Sequence, residues 1–322
     1  MNKILCSIAT KGRYFTTLPM VIEAIINQTK KPDKLIIFDD NDEPQDLRNH
    51  FLYQHLFQIL TIKGIDWEWV YANKKGQHYI HQMANSMNYD WVWRVDDDAI
   101  PEPNVLEELS SWIDKDVGAI GGSILTLPYL PDTSQSTGKI ENIDSEPNIQ
   151  WNKIKKLKEV EHLHCSFLYR AGAHDYHLGL SKVAHREETL FTYGLYQKGY
   201  TILVAPDAIT WHFKNPEGGI RTDQKVEMFN HDEIIFRNIL KFKHKKIVVL
   251  NGGLGDHIVF KNVMPDITNA EVFTCYPDVI PGRSIAEAER LFGSTDQWNI
   301  YKKMSDWNWT NSLENAYRKL YL

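Results

Sequence analysis

Short apolar runs alternate with amphipathic segments along most of this chain, and few architectures tolerate that alternation. KILCSIAT (3–10), DKLIIFDDND (33–42), DWEWVYA (66–72) and DWVWRV (90–95) have the length and composition of strands. LPMVIEAIINQT (18–29), GQHYIHQMANSMN (76–88) and the segment opening at Asn104 have helical spacing of their apolar residues. VGAIGGSIL (117–125), HLHCSFLYRAG (162–172) and YTILVAPDAITWHF (200–213) continue as strands around a helix at 186–199 that ends on Gly199. Strand and helix in alternation predict an α/β fold, a mostly parallel sheet flanked by helices. Such sheets bind ligands beyond the carboxyl ends of their strands. Two strands here stop in acids, the first at Asp39 and Asp40, the second at Asp96, Asp97 and Asp98.

The 322 residues suffice for two domains, or for one large domain with an appendage. With 36 basic against 42 acidic side chains, the chain lacks the overall positive charge of a non-specific nucleic-acid binder. Two basic clusters, at 153–158 and 241–246, read as solvated faces or a linker. Cys6, Cys165 and Cys275 are few and far apart, which suits neither a disulfide framework nor a zinc cluster and fits a reducing compartment. The N-terminus shows no charged-then-apolar leader and no run is long enough to span a bilayer, so the expected location is cytoplasmic, with peripheral membrane contact left open. Residues 128–150, polar and rich in turn formers, read as a long surface loop.

WVWRVDDDAIPEP (91–103) poses the chemical problem: three adjacent carboxylates at the end of a buried strand need neutralising. A hard divalent cation, Mn²⁺ or Mg²⁺, with oxygen ligands is the expected answer, rather than a salt bridge. An acidic turn without any ion is the plain alternative. Trp91 and Trp93 read as core. His78 and His81 share a helical side without a nearby third ligand, so no zinc site is expected there.

Four segments in order resemble the family 2 glycosyltransferases of the GT-A fold, over roughly residues 3–215: CSIATKGR, IIFDDND, WRVDDDAIPEPNVLEEL with VGAIGG, and HREETLFTYGLYQKGYTILVAPDAITWH. The resemblance implies a metal-dependent transfer of a sugar from a nucleotide-diphosphate donor to an acceptor hydroxyl, with inversion at the anomeric carbon. It implies Asp98 as the metal ligand, with Asp96 beside it and His212 as a further ligand or phosphate contact. Asp97 joins the donor-binding set. Asp39 or Asp40 would recognise the base, with Thr10 and Arg13 lining the same pocket. Glu188 falls where the family has its general base, but the pair here is Glu187-Glu188 rather than Glu-Asp, leaving both as catalytic candidates. Acids at a helix start are stabilised by the helix dipole whether or not they catalyse anything. The implied acceptor is a glycan or lipid-linked saccharide, with DNA as a minor alternative. A nucleotidyltransferase and a binding module without catalysis are the rivals from other classes.

After Lys246 the strand–glycine–helix pattern restarts with VVLNGGLGDHIVF (248–260), which resembles the opening of heptosyltransferase-type GT-B enzymes. Too little chain follows for two such domains. The expected division is therefore a GT-A domain at 1–220, a helical linker at 221–246, and a small Rossmann-like appendage at 247–322, serving docking, homo-oligomerisation or acceptor positioning.

Overall fold

The structure, a computed structural model, describes residues 2–219, 225–242, 246–263, 270–292 and 299–303. The chain divides into two compact units, one of 1–176 with 182–225, the other of 177–181 with 226–322. In the first unit the order is β1 (Ile4–Thr10), α1 (Leu18–Ile26), β2 (Lys34–Asp39), α2 (Phe51–Ile62), β3 (Asp66–Tyr71), α3 (Gln77–Asn85), β4 (Trp91–Asp96) and β5 (Ala99–Pro101). It continues through α4 (Val105–Ser111), β6 (Val117–Leu125), β7 (Lys158–Val160), β8 (Phe167–Arg170), α5 (Glu187–Gln197) and β9 (Thr201–His212). The sheet runs β3-β2-β1-β4-β8-β6-β9-β5, with β7 paired to β9. This is the expected α/β architecture. Its parallel half is β3-β2-β1-β4, while β8, β5 and β7 enter antiparallel.

The period of two along β1 explains its central place. Ile4, Cys6 and Ile8 join the core on one face, with Leu18, Val21, Ile22 and Ile25 of α1. Leu5 and Ala9 join the core on the other, with Ile80 and Ala84 of α3 and Phe191 and Leu195 of α5. A strand covered on both faces needs continuous apolar character, which is why this one does not alternate with polar residues. In α1 the spacing of those buried positions makes a single stripe, and Pro19 at the helix start fixes φ where its missing N–H costs nothing.

From β1 the chain passes to β2 on one side and β4 on the other. This is the reversal in strand order beyond which open α/β sheets form their crevice. The parallel register sets Ala9 beside Asp96, so the end of β1 and the first of the three aspartates arrive at that crevice together.

The second unit contains α6 (Val226–Phe242), β10 (Lys246–Leu250), α7 (Leu254–Val263), β11 (Ala270–Thr274), β12 (Arg283–Ser284), α8 (Ile285–Phe292) and β13 (Asn299–Lys303), with strand order β12-β11-β10-β13. The expected linker at 221–246 lies partly outside the described residues. Its helix α6 belongs to this unit, where Ser181 donates through backbone N and Oγ to the Asp232 carboxylate, at 2.6 and 2.8 Å. Among the described residues, no helix is long and apolar enough to cross a membrane.

Candidate active site

A cavity of about 360 Å³ opens at the carboxyl ends of β1 and β4, its described wall residues all belonging to the first unit. Arg13, Asp96, Asp97, Asp98, Glu188 and His212 are in its wall. Three strand pairings bring these distant residues together. Asp96 ends β4. The antiparallel pairing of β5 with β9 sets His212 opposite Ala99, one residue past Asp98, and the backbone N–H of Phe213 donates to the Asp98 carbonyl at 2.9 Å. The antiparallel pairing of β8 with β4 sets Phe167 opposite Arg94, which carries the preceding His164 and Cys165 toward the aspartates.

Arginines meet all three aspartates, which corrects the expectation that salt bridges would take no part in neutralising them. Arg94, wholly buried two residues before Asp96 on the same face of β4, lies 3.2 Å from the Asp96 carboxylate and 2.7 Å from that of Glu187. Arg13 reaches Asp97 at 2.5 Å and Asp98 at 3.1 Å. Thr10 donates its hydroxyl to Asp97 at 2.8 Å. Burial raises the Asp96 carboxyl, but the charges of Arg94 and His212 outweigh it and hold the group at about 2. For Asp97 burial wins over Arg13 and pushes it up to about 6.

The two glutamates at the start of α5 part company. The preceding Arg186 has φ +67, a left-handed turn that admits the chain into the helix, and α5 is buried along most of its length. Glu188 faces the cavity and accepts from His164 Nδ1 at 2.7 Å. Glu187 stands behind the wall against Arg94. Burial raises its carboxyl to about 8 against the pull of that guanidinium. Arg94 already has the ionised Asp96 as a counter-charge, so Glu187 is the partner that can keep its proton.

Thr10, Asp39 and Asp40 are close by but outside the wall. Asp39 accepts from the Tyr14 hydroxyl at 2.5 Å and from Asn41, while Asp40 accepts the backbone N–H groups of Lys75 and Gly76, each at 3.0 Å. Both acids thus hold the loops that follow β2 and β3. Sequence reasoning missed Lys11, Gln77, His164 and Lys214, which also line the cavity. Lys11 was within reach, since it lies in the loop already singled out. Nothing local marks the other three.

A roof closes over the site where the loop after β1 meets the loop after β9. Gly12 and Gly218 both have positive φ, and a Cβ on Gly12 would come within 2.9 Å of the Gly218 Cα. Arg13 ties the same loops by donating to the Asn215 and Glu217 carbonyls, at 3.0 and 3.3 Å.

The side chains fit a divalent cation. Among the described residues, one group of three has metal-ligand spacing: a carboxylate oxygen of Asp96, the Cys165 thiol and a ring nitrogen of His212, all within 4.8 Å of one another. Asp98 is adjacent, its carboxylate 3.3 Å from His212 Nε2. A second hollow, of about 110 Å³, is bounded by the 138–151 loop, Trp151, His162 and Arg186, and shares His164 with the first.

The model of the family described as glycosyl transferase family 2 matches residues 7–175, just over half of the chain. The chain belongs to glycosyl transferase family 2. Among solved structures, one of S. aureus TarS 1–349 in complex with UDP-GlcNAc is 13% identical with a TM-score of 0.53, covering 74% of this chain and 66% of that one. A crystal structure of GalNAc-T7 with UDP, GalNAc and Mn²⁺ is 13% identical with a TM-score of 0.50, covering 66% of this chain and 44% of that one. At such identity the likeness is one of fold, and this chain spans less than two thirds of either neighbour. A comparison with curated proteins finds no match. The GT-A fold expected from the four segments is the fold observed.

Proposed function

We propose that this family member is a metal-dependent, inverting glycosyltransferase, taking a sugar from a nucleoside-diphosphate donor to a hydroxyl of a glycan or lipid-linked saccharide. The observation that carries the reading is a single cavity wall in which Asp96, Asp98 and His212, suited to a divalent ion, stand with cationic groups suited to phosphates and with Glu188. The printed complexes of the two structural neighbours, with UDP-GlcNAc and with UDP, GalNAc and Mn²⁺, support the same donor class.

Asp96, Asp98 and His212 would hold Mn²⁺ or Mg²⁺, which when bound supplies Lewis-acid stabilisation of the leaving diphosphate. Arg13, Lys11 and Lys214 supply positive charge where the diphosphate would lie. Glu188 takes the proton of the acceptor hydroxyl as the new glycosidic bond forms. His164, donating to Glu188 Oε1, orients that carboxylate at the start of α5. The hollow beside His164, with Trp151 in its wall, is the space an acceptor sugar would take.

Release of nucleoside diphosphate from a panel of nucleotide-sugars, with simple glycosides as acceptors, tests the proposal. Release that needs both the chain and a divalent cation supports it. A folded chain that turns over no donor in the panel contradicts it.

A further inference from the structure

Cys165 has no part in the mechanism above, yet its position is specific. The thiol is buried, and its residue takes φ +60, outside the usual range for a side chain of this kind. The antiparallel register that pairs Arg94 with Phe167 brings Cys165 opposite Asp96 when extended by two residues, and Ser166 Oγ accepts from the Asp96 backbone N–H at 3.3 Å. Three separate strands therefore deliver three different donor types to one point: a carboxylate at the end of β4, a thiol just before β8, and an imidazole at the end of β9. Their donor atoms lie within 4.8 Å of one another. In a tetrahedral centre with zinc-like bond lengths, donors stand about 3.3–3.6 Å apart, so movements of about an ångström close the set. Asp98 stands beside this set: one carboxylate oxygen meets Arg13 and the Asn215 backbone N–H, each at 3.1 Å, while the other lies 3.3 Å from His212 Nε2.

We propose that Cys165 is a further ligand of the divalent ion, and that the site accordingly accepts a borderline-soft ion such as Zn²⁺ or Co²⁺ beside Mg²⁺ or Mn²⁺. The inference rests on reading this cavity as a metal site. Hard ions select oxygen donors, whereas thiolate with imidazole selects zinc and its neighbours. On binding, the sulfur–metal bond replaces the S–H bond and the proton leaves to solvent, with no change in oxidation state.

Cobalt is the probe, added to the full chain carrying Cys275→Ser so that the exposed thiol does not contribute. Visible ligand-field bands report that Co²⁺ is bound, and an intense near-ultraviolet sulfur-to-cobalt charge-transfer band reports a thiolate ligand. The expected spectrum has both. Adding Cys165→Ser should keep the visible bands, abolish the charge-transfer band, and weaken Zn²⁺ binding by at least about 10–100-fold, the loss that even an outer-shell partner causes. Mn²⁺ affinity should change much less. Visible bands without charge transfer before Cys165 is replaced would overturn the thiol's role and leave the metal site standing. A charge-transfer band that survives Cys165→Ser would overturn it equally. No cobalt bands at all would overturn the metal reading along with the inference. Should Cys165→Ser fail to fold, X-ray absorption of the Cys275→Ser protein loaded with Zn²⁺ decides instead: a sulfur shell at about 2.3 Å supports the proposal, and only nitrogen and oxygen neighbours contradict it.

Discussion

Adjacent glutamates in Glu187-Glu188 have opposite surroundings, and each calls for its own experiment. Glu188→Gln should leave donor binding intact and lower turnover by at least about 10²-fold, the low end for a lost general base. Steady-state kinetics beside nucleotide titration separates the two effects, and near-normal turnover would remove Glu188 from the role. Glu187 is a matter of stability. A carboxyl raised to about 8 in the folded state binds more protons there than when unfolded, so stability should fall as pH rises from about 4.5 to 8 and level off above. Glu187→Gln, which mimics the protonated form, should remove that slope. Urea midpoints of both proteins across this range provide the check. Parallel pH profiles would show that Glu187 is ionised throughout. Only the family resemblance separated the two glutamates in the sequence, by pointing to Glu188 as the base; the buried pairing of Glu187 with Arg94 was not legible there. Arg94 was closer to legible, as a cation inside an apolar run, two residues before Asp96 and so on the same strand face.

Elements divide by how local their causes are. The strands β1 to β4 follow from their short apolar runs, α1 from the spacing of its apolar residues and α5 from its end at Gly199, and all could be placed from the sequence to within a few residues. The three-residue strands β5 and β7 could not, because their existence depends on a partner far along the chain. That failure matters, since the pairing of β5 with β9 is what sets His212 beside Asp98. The paired glycines of the roof were equally silent. Gly12→Ala would force a side chain into a left-handed conformation and against the Gly218 backbone. We expect it to separate the two loops and weaken donor binding, raising KM with a smaller effect on kcat. Unchanged KM in a folded Gly12→Ala protein would show that the roof does not hold the donor.

On the scale of the molecule, the wall residues of the cavity, among those described, all come from the first unit. A chain ending at Lys225 should therefore still bind nucleotide in a metal-dependent way if it folds. A folded truncation without binding would give the second unit a part in the site. The family resemblance read from four segments already carried the fold, because their order and spacing are set by the whole sheet rather than by any one residue. The central claim is that the cavity at the ends of β1 and β4 is a metal-assisted donor site. Thermal unfolding with a panel of nucleoside diphosphates and nucleotide-sugars, each with and without a divalent ion, tests it most directly. A ligand at about 100 times its dissociation constant adds about 2.7 kcal/mol, a visible shift in Tm. The prediction is stabilisation by one nucleoside diphosphate and its sugar, only with metal present, and lost in Asp98→Ala. Equal stabilisation without metal, or stabilisation by triphosphates alone, would contradict it.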